Sequence, residues 1–459
     1  MIEKSGVGRT AQLSDWVEHV RLVDGASAVA SLAKLHILDT FAVAVAGMNT
    51  AQVSTIASFL DEGIAPNGAS LGLGSPRYLE ASSAALINGV AAHSLDFDDQ
   101  SYRVYGHTST VVLPALLALA QENGNSGSEL ITAFLVGTEA ASKIGRVMNP
   151  SHFQRGWHST GTLGALGAAV GCARLLGLGA TKVSHALGLA AVRSGGLRAN
   201  NPTMAKAYQA GQAAQAAVIS AKLAAAGMTA CESILEAPTG FGAVYNYPDS
   251  LDFSSFDSLG KPWEVAEPGM VIKRYPACSS MATALDAMGA LLDTEFAAED
   301  IEKIECVVTP LTAESMSVSL PETGYAGKFS IPFCLASLAL YGKVELDSFD
   351  DAVLLDEQFR VIADRVTIRV DESDGWAPEK GPEAVTLTLT LRGGRQVSER
   401  RSVPTWGCGA TLAVPDILAK AKYCFSRSLG ANDTEFLSNK FRSLESESSL
   451  DFLRLPDWG

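Results

Sequence analysis

From Ala26 to about Leu259 the chain repeats one texture. Apolar residues recur at a spacing near 3.6, in segments rich enough in alanine and glycine for helices to pack closely on most sides. ASLAKLHILDTFAVAVAG (30–47), SELITAFLVGTEAASKIGRVM (128–148) and AYQAGQAAQAAVISAKLAAAG (207–227) carry the pattern most clearly. Near Pro262 it breaks. IEKIECVVTP (301–310), RVTIRVDES (365–373) and EAVTLTLTLRGGRQVSERRSV (383–403) alternate or are β-branched, and the last holds a Gly-Gly turn between two strand-like runs. After Pro404 the helical period returns. The expected fold is mainly α: a large all-helical domain formed by both chain ends (1–265 and 405–459), with a smaller α+β domain (266–404) inserted.

With 47% apolar and 19% charged residues, 459 residues can bury a large core. The formal charge of −15 argues against nucleic acid and anionic membrane as partners, so an anionic substrate needs a local cationic pocket. The start, MIEKSGVGRTAQL, lacks the apolar core of a signal peptide, and Gly161 to Gly179 is interrupted by Arg174 and reads as a buried helix. A cytoplasmic protein with no membrane span is expected. The seven cysteines are scattered without a CxxC pair, which predicts free thiols and neither a disulfide framework nor a structural zinc site.

Four segments hold candidate chemistry. In AAHSLDFDDQSYRVYGHTS (91–109), Asp96, Asp98 and Asp99 are flanked by His93 and His107. Clustered carboxylates suit a hard metal, but the adjacent Asp98–Asp99 pair lacks the alternation of a ligand loop, and no metal is expected. Either one aspartate orients a catalytic histidine or lysine while another caps the next helix, or all three cap and solvate a loop. In FQRGWHSTGTLGALGAAVG (153–171), His158 precedes a helix start, where it is an acid or anion ligand, or a packed residue beside Trp157. RSGGLRANNPTMAKAYQAG (193–211) offers Arg193, Arg198 and Lys206 as carboxylate clamps, or as a solvated basic loop. In MVIKRYPACSSMATALDAM (270–288), Lys273, Arg274, Tyr275 and Cys278 fall on a strand-to-helix turn, where a thiol pKa would drop.

Together these segments resemble the MmgE/PrpD family, most specifically through INGVAAHSLDFDD, GWHSTGTLGALGAAVGCARLLGL, PTMAKAYQAGQAA, IKRYPACSS and GKFSIPFCLASLAL. The resemblance implies a helical domain plus an α+β domain, a homodimer, a small polycarboxylate substrate and no cofactor. It carries functional roles onto Asp96, His107, His158, Lys206 and Lys273. The sequence departs from the family's decarboxylase pattern at Gln100, Gln209, Cys278 and Phe333, losing two imidazoles and a phenol. On those departures the resemblance implies an isomerase: a cofactor-independent epimerase of an iminodisuccinate-like amino acid, working by Cα proton abstraction and reprotonation. Lys273 is then one base with a lowered pKa, His107 or His158 serves the opposite face, Asp96 fixes a tautomer, and Cys278 is a second proton carrier or a buried small residue. Lys206, Arg103, Arg193, Arg198, Gln100 and Tyr275 bind substrate. The alternative is a lyase of the same family, of the cis-aconitate decarboxylase or 2-methylcitrate dehydratase type, and a third reading is a non-catalytic binder.

Overall fold

The computed structural model describes residues 8–22, 28–64, 67–247, 251–292, 296–316, 319–373 and 384–455. The first seven residues, read above for a leader, lie outside them. The chain forms two units: one from 1–94, 98–272 and 408–459, the other from 95–97 and 273–407.

The first unit is helical. It comprises α1 (Arg9–His19), α2 (Ala28–Gly47), α3 (Ala51–Phe59), α4 (Ala81–Ser94), α5 (Ser109–Asn123), α6 (Gly127–Met148), α7 (Ser151–Gln154), α8 (Ser159–Leu175), α9 (Ala180–Arg193), α10 (Ala205–Ala225) and α11 (Phe241–Tyr245), plus a short strand β1 (Asn67–Ser70). A two-stranded ribbon pairs β2 (Gln100–Ser101) antiparallel with β3 (Met270–Val271). In the second unit lie α12 (Ala282–Leu292), β4 (Ile301–Val308), α13 (Pro310–Ser315), α14 (Gly324–Gly327), α15 (Ile331–Tyr341), α16 (Glu357–Asp364), β5 (Val366–Val370), β6 (Val385–Leu391) and β7 (Gln396–Arg401). The chain then returns to the first unit as α17 (Val414–Ser426) and α18 (Ala431–Arg442).

Small residues decide how the first unit packs. Every residue of α8 from Ser159 to Ala173 is buried. A Cβ on Gly167 would lie 2.5 Å from that of Ala141 and 2.6 Å from the Gly137 carbonyl, so α6 and α8 touch through their backbones. The C-terminal helices close the unit: Phe41 of α2 packs on Phe425 and Phe441, with ring centroids 6.2 and 4.8 Å away. Beside them a buried ion pair joins Lys420 of α17 to Asp39 of α2 at 2.8 Å. Burial raises the Asp39 carboxyl to about 6 even against that cation. By length and hydropathy α2 alone among the described helices could cross a membrane, but 67% of its apolar window is buried inside the unit.

In the second unit the sheet order is β5-β4-β6-β7, with β4 parallel to β5 and the other pairs antiparallel. Cys306 stands opposite both Ile368 and Leu387. Alternation along β6 buries Val385, Leu387, Leu389 and Leu391 while the threonines between them stay half-buried, as a sheet with one covered face requires. That face shares its core with Leu285 and Met288 of α12 and Phe333 of α15.

Candidate functional site

The helices α4 and α10 cross where glycine meets glycine. A Cβ on Gly89 would lie 2.7 Å from the Gly211 Cα, and one on Gly211 would strike the Leu86 carbonyl. No larger residue permits this approach. Four residues beyond Gly89 stands His93, and five before Gly211 stands Lys206, both buried. Burial pushes His93 down to about 4 against the opposing pull of Asp98, and the Lys206 charge adds to the depression.

Two adjacent aspartates then fix the imidazoles. Asp98, wholly buried, accepts from His93 Nδ1 at 2.9 Å and lies 3.2 Å from His107 Nδ1. Burial alone would raise its carboxyl, but the two imidazoles outweigh that and hold it well below the usual carboxylate range. His107 Nδ1 is also 2.8 Å from the Asp99 carbonyl. A carbonyl only accepts, so Nδ1 of His107 carries a proton and Nε2 is left to exchange protons with anything outside. The same logic puts a proton on His93 Nδ1; its Nε2 is buried with no hydrogen-bond partner among the described residues. Asp99 Oδ2 takes His36 Nδ1 and the Ser109 hydroxyl, each at 2.5 Å. His93 and His107 lie 4.7 Å apart by ring centroid, and His93 and His158 lie 6.0 Å apart.

His158 is the residue just before α8, 5% exposed, with its N–H donating to the Gly196 carbonyl at 3.0 Å. The main-chain N–H of His107 donates to Thr160 Oγ1, tying the His107 turn to the start of the same helix. Gln209, on the second turn of α10, accepts the Leu197 N–H. The unit thus gathers His93, Asp98, His107, His158 and Lys206 around two helix starts and the end of α4.

In the second unit, Lys273 donates to the Asp96 carboxylate at 2.6 Å and to the Asp96 carbonyl at 2.9 Å. Both are buried, and Asp96 holds a left-handed backbone, φ +54. Lys273 is therefore one half of a buried ion pair, and Asp96 serves an ammonium, while fixing of imidazole tautomers falls to Asp98 and Asp99. Lys328 donates to the Leu95 and Pro276 carbonyls and sits 4.2 Å over the Phe349 ring. The Cys278 N–H donates to the Lys328 carbonyl at the entry to α12, and the thiol is half-buried. Tyr275 donates its hydroxyl to Asp286, which also takes Arg274 and the Thr405 N–H. Burial and that carboxylate push the phenol up, so Tyr275 is tied into the fold.

The arginines separate. Arg103 is 3.3 Å from the buried Glu264, which also faces Lys143 and Arg146. Arg198 lies 3.7 Å over Phe153 and donates to its carbonyl. Arg193 is exposed at the end of α9. Gln100 is buried in β2 opposite Val271. All seven cysteines are free. Three residues central here had no individual role assigned from the sequence: His93 and Asp98, which entered only as members of the Asp/His cluster, and His36, which did not enter at all. The first two were visible as a histidine five positions before an aspartate at a helix end. His36, 63 residues from its partner Asp99, left no local signal.

His93, Asp98 and His107 bring one donor atom each within 4.8 Å of one another, a spacing that a divalent ion also takes. His93 Nδ1 donates to Asp98, and His107 Nδ1 donates to the Asp99 carbonyl while lying 3.2 Å from Asp98, so the trio is a hydrogen-bonded relay. The three clustered aspartates do not converge either: Asp96 serves Lys273, Asp98 the two imidazoles, and Asp99 His36 and Ser109.

A helical unit with buried, carboxylate-oriented imidazoles beside a lysine, and an α+β unit with its own Lys–Asp pair, define a mainly helical protein that buries clustered imidazoles, carboxylates and lysines. The chain belongs to the MmgE/PrpD family: residues 11–254 match the MmgE/PrpD N-terminal domain and 275–444 the MmgE/PrpD C-terminal domain. It is 27% identical over 429 residues to the cis-aconitate decarboxylase of Homo sapiens, covering 90% of this chain and 86% of that protein. The identity to the Mus musculus enzyme of the same name is 28% over 430 residues, with the same coverage. To the cis-aconitate decarboxylase of Aspergillus terreus (strain NIH 2624 / FGSC A1156) it is 32% over 246 residues, 52% of this chain and 49% of that protein. These matches overturn the expectation of an isomerase, because the relatives are named as decarboxylases, which are lyases.

Proposed function

We propose that this chain is a lyase acting on a small polycarboxylate, of the cis-aconitate decarboxylase kind. The observation that carries the proposal is similarity to proteins of that name along nine tenths of the chain. The relay geometry supports it. Decarboxylation of cis-aconitate breaks one C–C bond, releases CO2, shifts the freed electron pair into the alkene and adds one proton at the far alkene carbon. The substrate loses one carboxylate and gains one proton from the protein, which gives itaconate.

That step needs a proton donor with one defined exchanging atom and a cation for the remaining carboxylates. His107 meets the first need: its Nδ1 is anchored to the Asp99 carbonyl and beside Asp98, leaving Nε2 as the atom that delivers the proton. Asp98, held ionised, stabilises the charged ring that precedes transfer. His93, neutral near pH 7, takes no charge that would compete. Lys206 and His158 hold substrate carboxylates. The departures weigh less against a lyase than their number implies. Phe333 is wholly buried between Phe349 and Phe359, so the phenol missing there subtracts nothing from the imidazole relay.

Purified protein incubated with cis-aconitate, and in parallel with 2-methylcitrate, tests this by proton NMR and CO2 release. Itaconate with one CO2 per turnover is expected. Loss of water from 2-methylcitrate would move the assignment to a dehydratase, and inertness toward both would refute a lyase of this kind.

A further inference from the structure

Gln209 stands one helical turn after Lys206 on α10 and is 7% exposed. Its Oε1 accepts the main-chain N–H of Leu197 at 2.5 Å. Only the oxygen end of an amide can accept from an N–H, so this bond decides which way the side chain is turned. The NH2 group is thereby directed away from the Leu197 loop. It is buried and has no hydrogen-bond partner among the described residues. Folded chains avoid leaving two N–H donors unpaired in the interior, and such an exception marks a place where something else supplies the acceptor.

What that acceptor is follows from the surroundings. A Cβ on Gly196, whose φ of +142 suits glycine, would lie 3.1 Å from Gln209 Oε1 and 3.2 Å from the His158 Cβ. Gln209 and His158 therefore flank the same glycine, and Lys206 stands about one turn earlier on the helix that carries Gln209. An oriented, desolvated NH2 on the helix that also carries Lys206, with His158 across Gly196 from the same amide, complements an anionic oxygen.

We propose that Gln209 is a specificity-determining residue whose side-chain NH2, oriented by the Leu197 N–H, donates to a carboxylate oxygen of the polycarboxylate substrate. The inference rests on the polycarboxylate reading above and assigns Gln209 no proton-transfer step. An amide neither gains nor loses a proton near neutral pH, so this residue sorts substrates by where they place an oxygen.

Gln209→Glu is the sharpest test. It keeps size and the acceptor for Leu197, and replaces only the NH2 by an anionic oxygen. Affinity for tricarballylate, a saturated tricarboxylate that cannot react, is measured by calorimetry for both proteins, together with KM and kcat on cis-aconitate and the apo melting temperature. The expected result is at least a tenfold weaker Kd and a matching rise in KM, with kcat within threefold, in a variant that stays folded at the assay temperature. A parent that binds tricarballylate while Gln209→Glu binds equally well overturns the inference alone. A parent that neither binds it nor turns over cis-aconitate overturns the polycarboxylate reading and the inference with it. Should the Glu variant not fold, Gln209→Met removes the donor without adding charge; the same tenfold loss supports the proposal and unchanged affinity overturns it.

Discussion

Replacing Asp98 by asparagine keeps shape and removes the one charge that both imidazoles share. Asp98 Oδ2 lies 3.2 Å from His107 Nδ1, and a unit-charge interaction at that separation, in an effective dielectric of about 20, comes to roughly 5 kcal/mol. This attraction exists only while His107 is protonated, so it acts on the step in which the ring holds and then delivers a proton. A neutral hydrogen bond to the Asn oxygen returns about 1 kcal/mol. About 4 kcal/mol is then lost, roughly a thousandfold in kcat. The fold pays less, because one imidazole N–H is left facing an amide NH2, at about 1–3 kcal/mol. Steady-state CO2 release from cis-aconitate, measured below the variant's own melting transition, should show kcat down by that factor with KM changed little. A folded Asp98→Asn protein with kcat within tenfold of the parent would refute the relay.

Acid should loosen the fold through His152, which burial lowers from 6.5 to about 4. Between those values the folded state binds fewer protons than the unfolded one, so the contribution is complete above pH 6.5 and is lost as pH falls toward 4, by roughly 3 kcal/mol. Melting temperatures from pH 7 to 5 should fall more steeply for the parent than for His152→Gln, and parallel curves would contradict this. Asp39 has the opposite sign: raised to about 6, it favours the folded state on the acid side. Lys420→Met should therefore cost about 3–5 kcal/mol at pH 8, where an unpaired carboxylate is buried, and much less below pH 6, where it is protonated; a penalty independent of pH would exclude the pairing as its cause. Gly211→Ala should destabilise by about 1–3 kcal/mol through overpacking and also lower turnover by separating His93 from Lys206, so a variant with normal activity and melting temperature would show that the helix crossing tolerates a methyl group.

Much of the scaffold was legible because its periods are undisturbed. The segment read as 30–47 is the helix Ala28–Gly47, that read as 128–148 is Gly127–Met148, and the Gly-Gly turn separates Val385–Leu391 from Gln396–Arg401. The ribbon of Gln100–Ser101 with Met270–Val271 was not, since two residues have no period. At the site, spacing exposed the HSLDFDD string but could not tell which aspartate serves which partner. Asp96 has a left-handed backbone, and the three carboxylates go to different partners: Asp96 to Lys273, Asp98 to His93, and Asp99 to His36 and Ser109. Lys273 looked like a free base because its counterion lies 177 residues away. Reading Phe333 as a lost proton carrier went astray for a related reason: it is a core residue, and no one-dimensional pattern distinguishes a core aromatic from one lining a site.

The return of α17 and α18 onto α2 has a consequence for how the protein is made. Asp39 leaves the ribosome early, but its counterion Lys420 and the rings that cover Phe41 follow some 380 to 400 residues later. Throughout that interval the nascent chain holds a carboxylate and an aromatic face destined for the interior with nothing yet to meet them, and at about 5–20 residues per second the wait lasts tens of seconds. A chain truncated before Lys420 has a helix Ala28–Gly47 that never finds its cover, so such a truncation should send the product to chaperones or proteases.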